Sequence, residues 1–190
     1  PKICKYIDIP LQHIDDEILS SMRRRLNEND TKALVSKIKT AYPEIALRST
    51  FIVGYPGETS TKFKKLYKFI NESQFDYAGF FPYSKEPNTA SFYMPNQVAA
   101  YKKKFRRKKI NNLQYSIVSQ QAKNMIGQEI EVLIDYFDQN QGEYVCHSQK
   151  CSPLVDFGVR IVDNSIVKVG DFIKVKIYDF DGCDYKGEIV

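Results

Sequence analysis

Tyr6-Ile7-Asp8-Ile9-Pro10-Leu11-Gln12-His13 is a short apolar strand that ends in polar side chains and runs straight into Asp15, Asp16 and Glu17. The pattern recurs at Leu47-Arg48-Ser49-Thr50-Phe51-Ile52-Val53-Gly54-Tyr55-Pro56-Gly57-Glu58. Two strands that deliver polar groups at their carboxyl ends, each followed by a helix, describe the rim of a β/α barrel, where ligands bind.

The flanking sequence extends this unit. A strand over residues 5–9 leads to a helix over 15–24, whose opening carboxylates favour the positive end of a helix dipole. A second helix is predicted over 30–41, with Ala33, Leu34, Ile38 and Ala41 on one face and Pro43 closing it, and a buried strand follows over 45–53. Residues 59–71 read as helix, with Phe63, Leu66, Tyr67 and Ile70 as its core face, and 77–83 as a third strand. A long closing helix over 97–124 carries Val98, Tyr101, Phe105, Leu113 and Ile117 as an inward seam. From Gly127 the character changes. Six of the nine glycines lie here and separate five runs, at 128–135, 142–147, 158–162, 171–178 and 184–190, some alternating with period two as in Ile173-Lys174-Val175-Lys176-Ile177. These suit a small OB-like barrel. The expected architecture is α/β plus all-β, with domains over 1–122 and 123–190.

The net charge of +5 hides an asymmetry: +10 over residues 1–122 and −5 over 123–190. An acidic barrel repels phosphates and attracts a basic protein. No apolar run approaches the roughly 20 residues of a membrane span, and residues 1–15 lack a signal peptide's basic start and apolar stretch, so a cytoplasmic protein is expected. Cys4, Cys146, Cys151 and Cys183 are scattered without CxxC or cluster spacing. A chain opening on Pro1 and entering a strand at once reads as a piece of a longer protein.

Several motifs in register resemble the radical S-adenosylmethionine methylthiotransferases. They are Ile3-Cys4-Lys5 with Tyr6 to His13, Met22-Arg23-Arg24-Arg25, Arg48 to Thr59, Tyr83-Ser84 and Thr89-Ala90. The all-β tail is similar to their TRAM domain, and Ser152-Pro153-Leu154-Val155-Asp156 resembles its Ala-Pro-Glu-Val-Asp signature. The Asp-Ile-Pro-Leu-Gln-His wording is that of the RimO family, which modifies an aspartate of the twelfth small-subunit ribosomal protein; the tRNA-modifying branch usually has Leu-Pro-x-Gln-Ser-Gly there. The resemblance implies the C-terminal half of a radical SAM (TIM-like) β/α barrel followed by a TRAM barrel. In the complete enzyme it implies S-adenosylmethionine and two 4Fe-4S clusters. A 5′-deoxyadenosyl radical would take hydrogen from the aspartate β-carbon, and the second cluster would supply a methylated sulfur. The N-terminal domain and the CxxxCxxC loop that ligate those clusters are not in this sequence, so the chain alone is expected to be inactive. Where the family has Glu-Gly-Thr, this chain has Pro87-Asn88-Thr89.

Under this resemblance Gln12, His13, Arg48, Thr50, Gly54 and Tyr83 are the candidate cofactor-binding residues, with no catalytic or metal residue assigned. Each has a structural alternative. Gln12 and His13 could cap the next helix, Arg48 could pair with Asp8, and Tyr83 could pack. Gly54 and Gly57 could leave N–H groups open to a ligand or merely make the bend. Asp135, Asp138, Asp179, Asp181 and Asp184 are candidates for docking a basic substrate, or ordinary turn residues. Lys102, Lys103, Lys104, Arg106 and Arg107 could contact ribosomal RNA or form a solvated helix face. A tRNA-modifying enzyme and a non-enzymatic RNA-binding module remain the alternative functions.

Overall fold

The computed structural model describes residues 2–153, 155–162 and 167–190. The opening Pro1 and Leu154 of the tail signature lie outside the described residues. The chain divides into two compact units, Ile7–Ile117 and Pro1–Tyr6 with Val118–Val190.

The larger unit is built on a three-stranded sheet in the order β1 (Tyr6–Asp8), β2 (Ala46–Val53), β3 (Tyr77–Pro82). β2 and β3 run parallel with Arg48 opposite Tyr77, Thr50 opposite Gly79 and Ile52 opposite Phe81. Two helices, α1 (Asp16–Ser21) and α2 (Glu28–Ala41), connect the first two strands, and α3 (Ser60–Ser73) connects the second pair. Asn27 caps α2 by accepting the Asp30 N–H, and Thr59 caps α3 by accepting that of Lys62. One face of β2, Leu47, Phe51 and Val53, packs with Ile14, Phe63, Leu66, Phe69, Ile70, Phe75 and Phe80 into the main core. On α3 the predicted face gains Phe69, which is buried, while Tyr67 packs at its margin. On α2 the inward residues are Thr31, Val35 and partly Leu34 and Ile38; Ala33 and Ala41 are exposed.

The long helix α4 (Ala100–Lys123) requires a correction. Its predicted seam fails at Tyr101 and Phe105, which are 69% and 66% exposed. The inward line is Arg106, Ile110, Gln114 and Ile117. A buried carboxylate, Glu58, draws Arg106 inward, and that rotates the two aromatic rings to the surface.

The smaller unit is a closed barrel in the order β4 (Glu129–Asp138), β5 (Glu143–His147), β6 (Val159–Val162), β8 (Tyr185–Ile189), β7 (Phe172–Phe180). All pairings are antiparallel except β6 with β8. Val132, Ile134, Cys146, Val159, Ile161, Val175 and Ile177 fill it. Gly187 leaves room where a Cβ would meet Val159 Cγ1 at 3.2 Å.

Candidate functional site

The alternation along β2 sorts its side chains. Leu47, Ser49, Phe51 and Val53 are buried toward the helices, whereas Arg48, Thr50 and Ile52 are half-buried on the opposite face. Arg48 Nη1 donates to Asp8 Oδ2 at 2.7 Å across the sheet, so the Asp8 pairing weighed from sequence is formed. Gly79 on β3 lies under the guanidinium: a Cβ there would sit 4.0 Å from Arg48 Nη2. This open face therefore presents an ion pair, a hydroxyl and the 55%-exposed Phe81 ring.

At the end of β1, Gln12 adopts φ 69°. Its backbone stays in the sheet, its N–H donating to Thr50 O and its carbonyl accepting from Ile52 N–H. A glutamine held in the left-handed region at a strand end is locally strained, a feature common at binding sites. The same kink turns His13 inward, where it is fully buried. His13 Nδ1 accepts the Asp15 N–H at 3.0 Å, and its Nε2 lies 3.3 Å from Glu58 Oε2. That contact is close but not aligned as a hydrogen bond.

Glu58 is the hub that sequence reasoning passed over. Its carboxylate accepts from Arg106 Nη1 at 2.6 Å and from the Gly54 N–H at 2.9 Å. Arg106 also donates to the Glu58 carbonyl and lies over the Phe63 ring. The signal was present as a glutamate following Gly54-Tyr55-Pro56-Gly57 and an arginine inside a basic run, but the 48-residue separation hid the pairing.

Gly54 is accordingly corrected. Its N–H is taken by Glu58, and that of Gly57 donates to the Asn96 carbonyl, so neither is open to an anion. Gly54 has φ 75°, and a Cβ there would fall 2.4 Å from Lys103 Cγ. Its close approach is to α4. Lys103 Nζ in turn donates to the Tyr83 carbonyl at 2.8 Å and sits over the Tyr83 ring, and burial pushes its pKa down. Tyr83 packs edge-on against Tyr55 beside Ile18, its buried hydroxyl without a hydrogen-bond partner among the described residues. Arg48 and Thr50 thus share the sheet's open face, Gln12 lies in register with the core residue Phe51, and His13, Gly54 and Tyr83 are buried or engaged in the packing.

In the barrel, four of the five aspartates are engaged, Asp181 with Lys186 at 3.6 Å among them. A bulge leaves Asp135 unpaired in β4 and turns it onto His147 Nδ1 at 2.7 Å. Asp184 binds Arg160 Nε and the Gly158 N–H, each at 2.8 Å, and Asp138 approaches the same guanidinium at 3.4 Å. The bond from Asp184 chiefly holds the Arg160 pKa up. Asp179 is exposed, and Asp181 is held below the usual carboxylate range by the backbone N–H groups of Asp184 and Cys183. In the tail signature Asp156 accepts the Ser152 N–H. On α4, Lys103 and Arg106 are turned into the fold, which leaves Lys102, Lys104 and Arg107 exposed.

Among the described residues no three His, Cys, Asp or Glu side chains gather as a metal site. Cys146 and Cys151 are buried thiols whose pKa values burial pushes up to about 12 and about 11, and Cys4 and Cys183 are exposed singly. This donor set does not fit a four-iron cluster, which needs several thiolates converging on one point. No helix among the described residues is long and apolar enough to cross a membrane.

Residues 126–190 match the TRAM domain. Over its whole length the chain is 40% identical to 43% of the ribosomal protein uS12 methylthiotransferase RimO of Desulforamulus reducens. It is 38% identical to 42% of the protein of that name from Citrifermentans bemidjiense and 39% to 42% of that from Geotalea uraniireducens. The chain spans about two-fifths of the length of these relatives. Coproporphyrinogen III oxidase (HemN) of Escherichia coli, described as a radical SAM enzyme, superposes with TM-score 0.48 and 17% identity over 61% of this chain and 26% of that one, too remote to bear on the fold.

Proposed function

We propose that this chain is the C-terminal part of a radical S-adenosylmethionine methylthiotransferase that adds a methylthio group to the β-carbon of an aspartate in the ribosomal protein uS12. The observation that carries the reading is similarity along the full chain to proteins named for that activity. The sheet supports it: its three strands and flanking helices supply one side of a β/α barrel whose lumen face carries Arg48 and Thr50.

In this reading the open face serves the cofactor and the substrate. Thr50, in mid-strand, offers a hydroxyl on this face, and Arg48, oriented by Asp8, offers a fixed guanidinium to a carboxylate, while Gln12 supplies an amide at the end of the first strand segment. His13, Gly54 and Tyr83 are positioning residues: Glu58 joins the Gly54 turn to Arg106 of α4 and faces His13, and Lys103 ties Tyr83 to the same helix. S-adenosylmethionine, when bound, supplies the radical precursor. The cluster that activates it needs thiolates this chain does not provide, so the chain alone is inactive and every chemical step belongs to the complete, cytoplasmic enzyme.

The barrel docks the basic substrate. Asp179 and Asp181 carry this role, with Asp135, Asp138 and Asp184 building the surface around them. A ribosomal RNA contact through α4 rests on Lys102, Lys104 and Arg107. The test is mass spectrometry of uS12 after incubation with the complete, cluster-loaded enzyme and S-adenosylmethionine. A methylthio adduct on one aspartate is expected; adduct on tRNA with none on uS12 overturns the reading in favour of the tRNA branch.

A further inference from the structure

The motif Met22-Arg23-Arg24-Arg25 takes no part in the open face of the sheet or in the barrel surface. It forms the turn between α1 and α2, and with Leu11, Leu19, Leu26 and Thr31 its three arginines line a cavity of about 340 Å³. That is within the range of small-ligand sites. Leu11, Leu19 and Thr31 are at least 95% buried and make its floor. Arg24 Nη2 is fixed to the Pro10 carbonyl at 2.7 Å, which ties the turn to the end of β1. Arg23 holds the left-handed φ of 57°.

The charge at this turn is uncompensated. Arg48, Arg106 and Arg160 each have a carboxylate partner. Among the described residues Arg23, Arg24 and Arg25 have none. The nearby acids are engaged: Asp16 accepts the Glu28 N–H, and Glu28 pairs with Lys32 and Lys65. Three arginines lining a cavity floored by leucines match a phosphate joined to a flat ring: a guanidinium fork takes phosphate oxygens bidentately, and the leucines take a base.

We propose that the Arg23–Arg25 turn is a nucleotide-phosphate site, filled by a phosphate of an RNA backbone or of a free nucleotide. It is separate from the basic face of α4 and does not depend on the methylthiotransferase reading. Being at the strand-end side, it would bring RNA against the edge of the candidate site.

The test is anisotropy of a fluorescein-labelled oligouridylate of about a dozen nucleotides, titrated with the full chain carrying K102Q, K104Q and R107Q so that α4 contributes little. Adding R23Q, R24Q and R25Q should weaken binding roughly tenfold and flatten the log K against log salt slope by about 0.7, the contribution of one neutralised phosphate on a single strand. R23K, R24K and R25K should keep most of the slope and lose part of the affinity, because lysine retains charge without the fork. Competition by uridine monophosphate at fixed ionic strength, lost in the glutamine variant, would assign the site to free nucleotides. Equal affinity and slope in the arginine and glutamine chains, with no nucleotide competition, overturns the proposal. Unchanged circular dichroism and melting of the glutamine variant separates loss of the site from loss of the fold.

Discussion

Replacing Glu58 by alanine is the most revealing single perturbation of the larger unit. The Glu58 side chain is 0% exposed and that of its partner Arg106 is 8% exposed, so water screens the pair little. The substitution strands the guanidinium that now donates to the carboxylate at 2.6 Å and the Gly54 N–H that donates at 2.9 Å. Removing one member of a buried pair costs about 3–5 kcal/mol. Arg106 keeps the Glu58 carbonyl at 2.9 Å as a second acceptor, which places the expected loss near the lower end, about 3 kcal/mol. Removing Arg106 as well abolishes the stranded charge, so the double alanine variant should cost less than the sum of the singles by about 1–3 kcal/mol. The assay is urea unfolding followed by helical circular dichroism, since all the described helices except the last residues of α4 lie in this unit and report it rather than the barrel. A loss under about 1 kcal/mol for Glu58→Ala, or strict additivity in the cycle, would refute the view that the pair anchors α4.

Gly54→Ala should cost roughly 1–2 kcal/mol from its left-handed backbone alone, plus displacement of Lys103, read as a lowered melting temperature. Under native conditions near pH 8, iodoacetamide should label Cys4 and Cys183 promptly and Cys146 and Cys151 only on unfolding, as counted by mass spectrometry. Because the folded pKa values of those buried thiols are raised, the barrel should hold full stability below the ordinary thiol pKa and lose it as pH climbs toward about 11 and about 12. Asp181 has the opposite sign: its folded pKa is depressed, so its contribution is present above the ordinary carboxylate pKa and lost as pH falls through the folded value. D181N should flatten that acid limb in pH-dependent melts. D135N should destabilise the barrel by breaking the His147 contact, whereas D179N should leave melting unchanged and weaken uS12 binding.

The sheet and barrel were legible because strand alternation and turn glycines are local signals. The runs at 171–178 and 184–190 became strands at Phe172–Phe180 and Tyr185–Ile189. The α2 and α4 faces were misread for one shared reason: burial followed tertiary partners rather than apolar character. Thr31 and Arg106 are inside while Ala33, Tyr101 and Phe105 are outside. Periodicity cannot reveal that a glutamate 48 residues away needs a cation. The rim residues themselves were visible as polar groups at strand ends. The placing of Arg48 and Thr50 on the open face followed from strand alternation, whereas the positions of Gln12, His13, Gly54 and Tyr83 depended on the left-handed kink at Gln12 and on the approach of Lys103 to Gly54.

The most direct test of the central claim is a binding titration of the chain against purified ribosomal protein uS12 and, separately, bulk tRNA, each at low and high salt. Saturable binding to uS12 that weakens in the D179N and D181N variants, exceeding binding to tRNA, is the predicted result. Preferential, steeply salt-dependent binding to tRNA, unaffected by those substitutions, would contradict it.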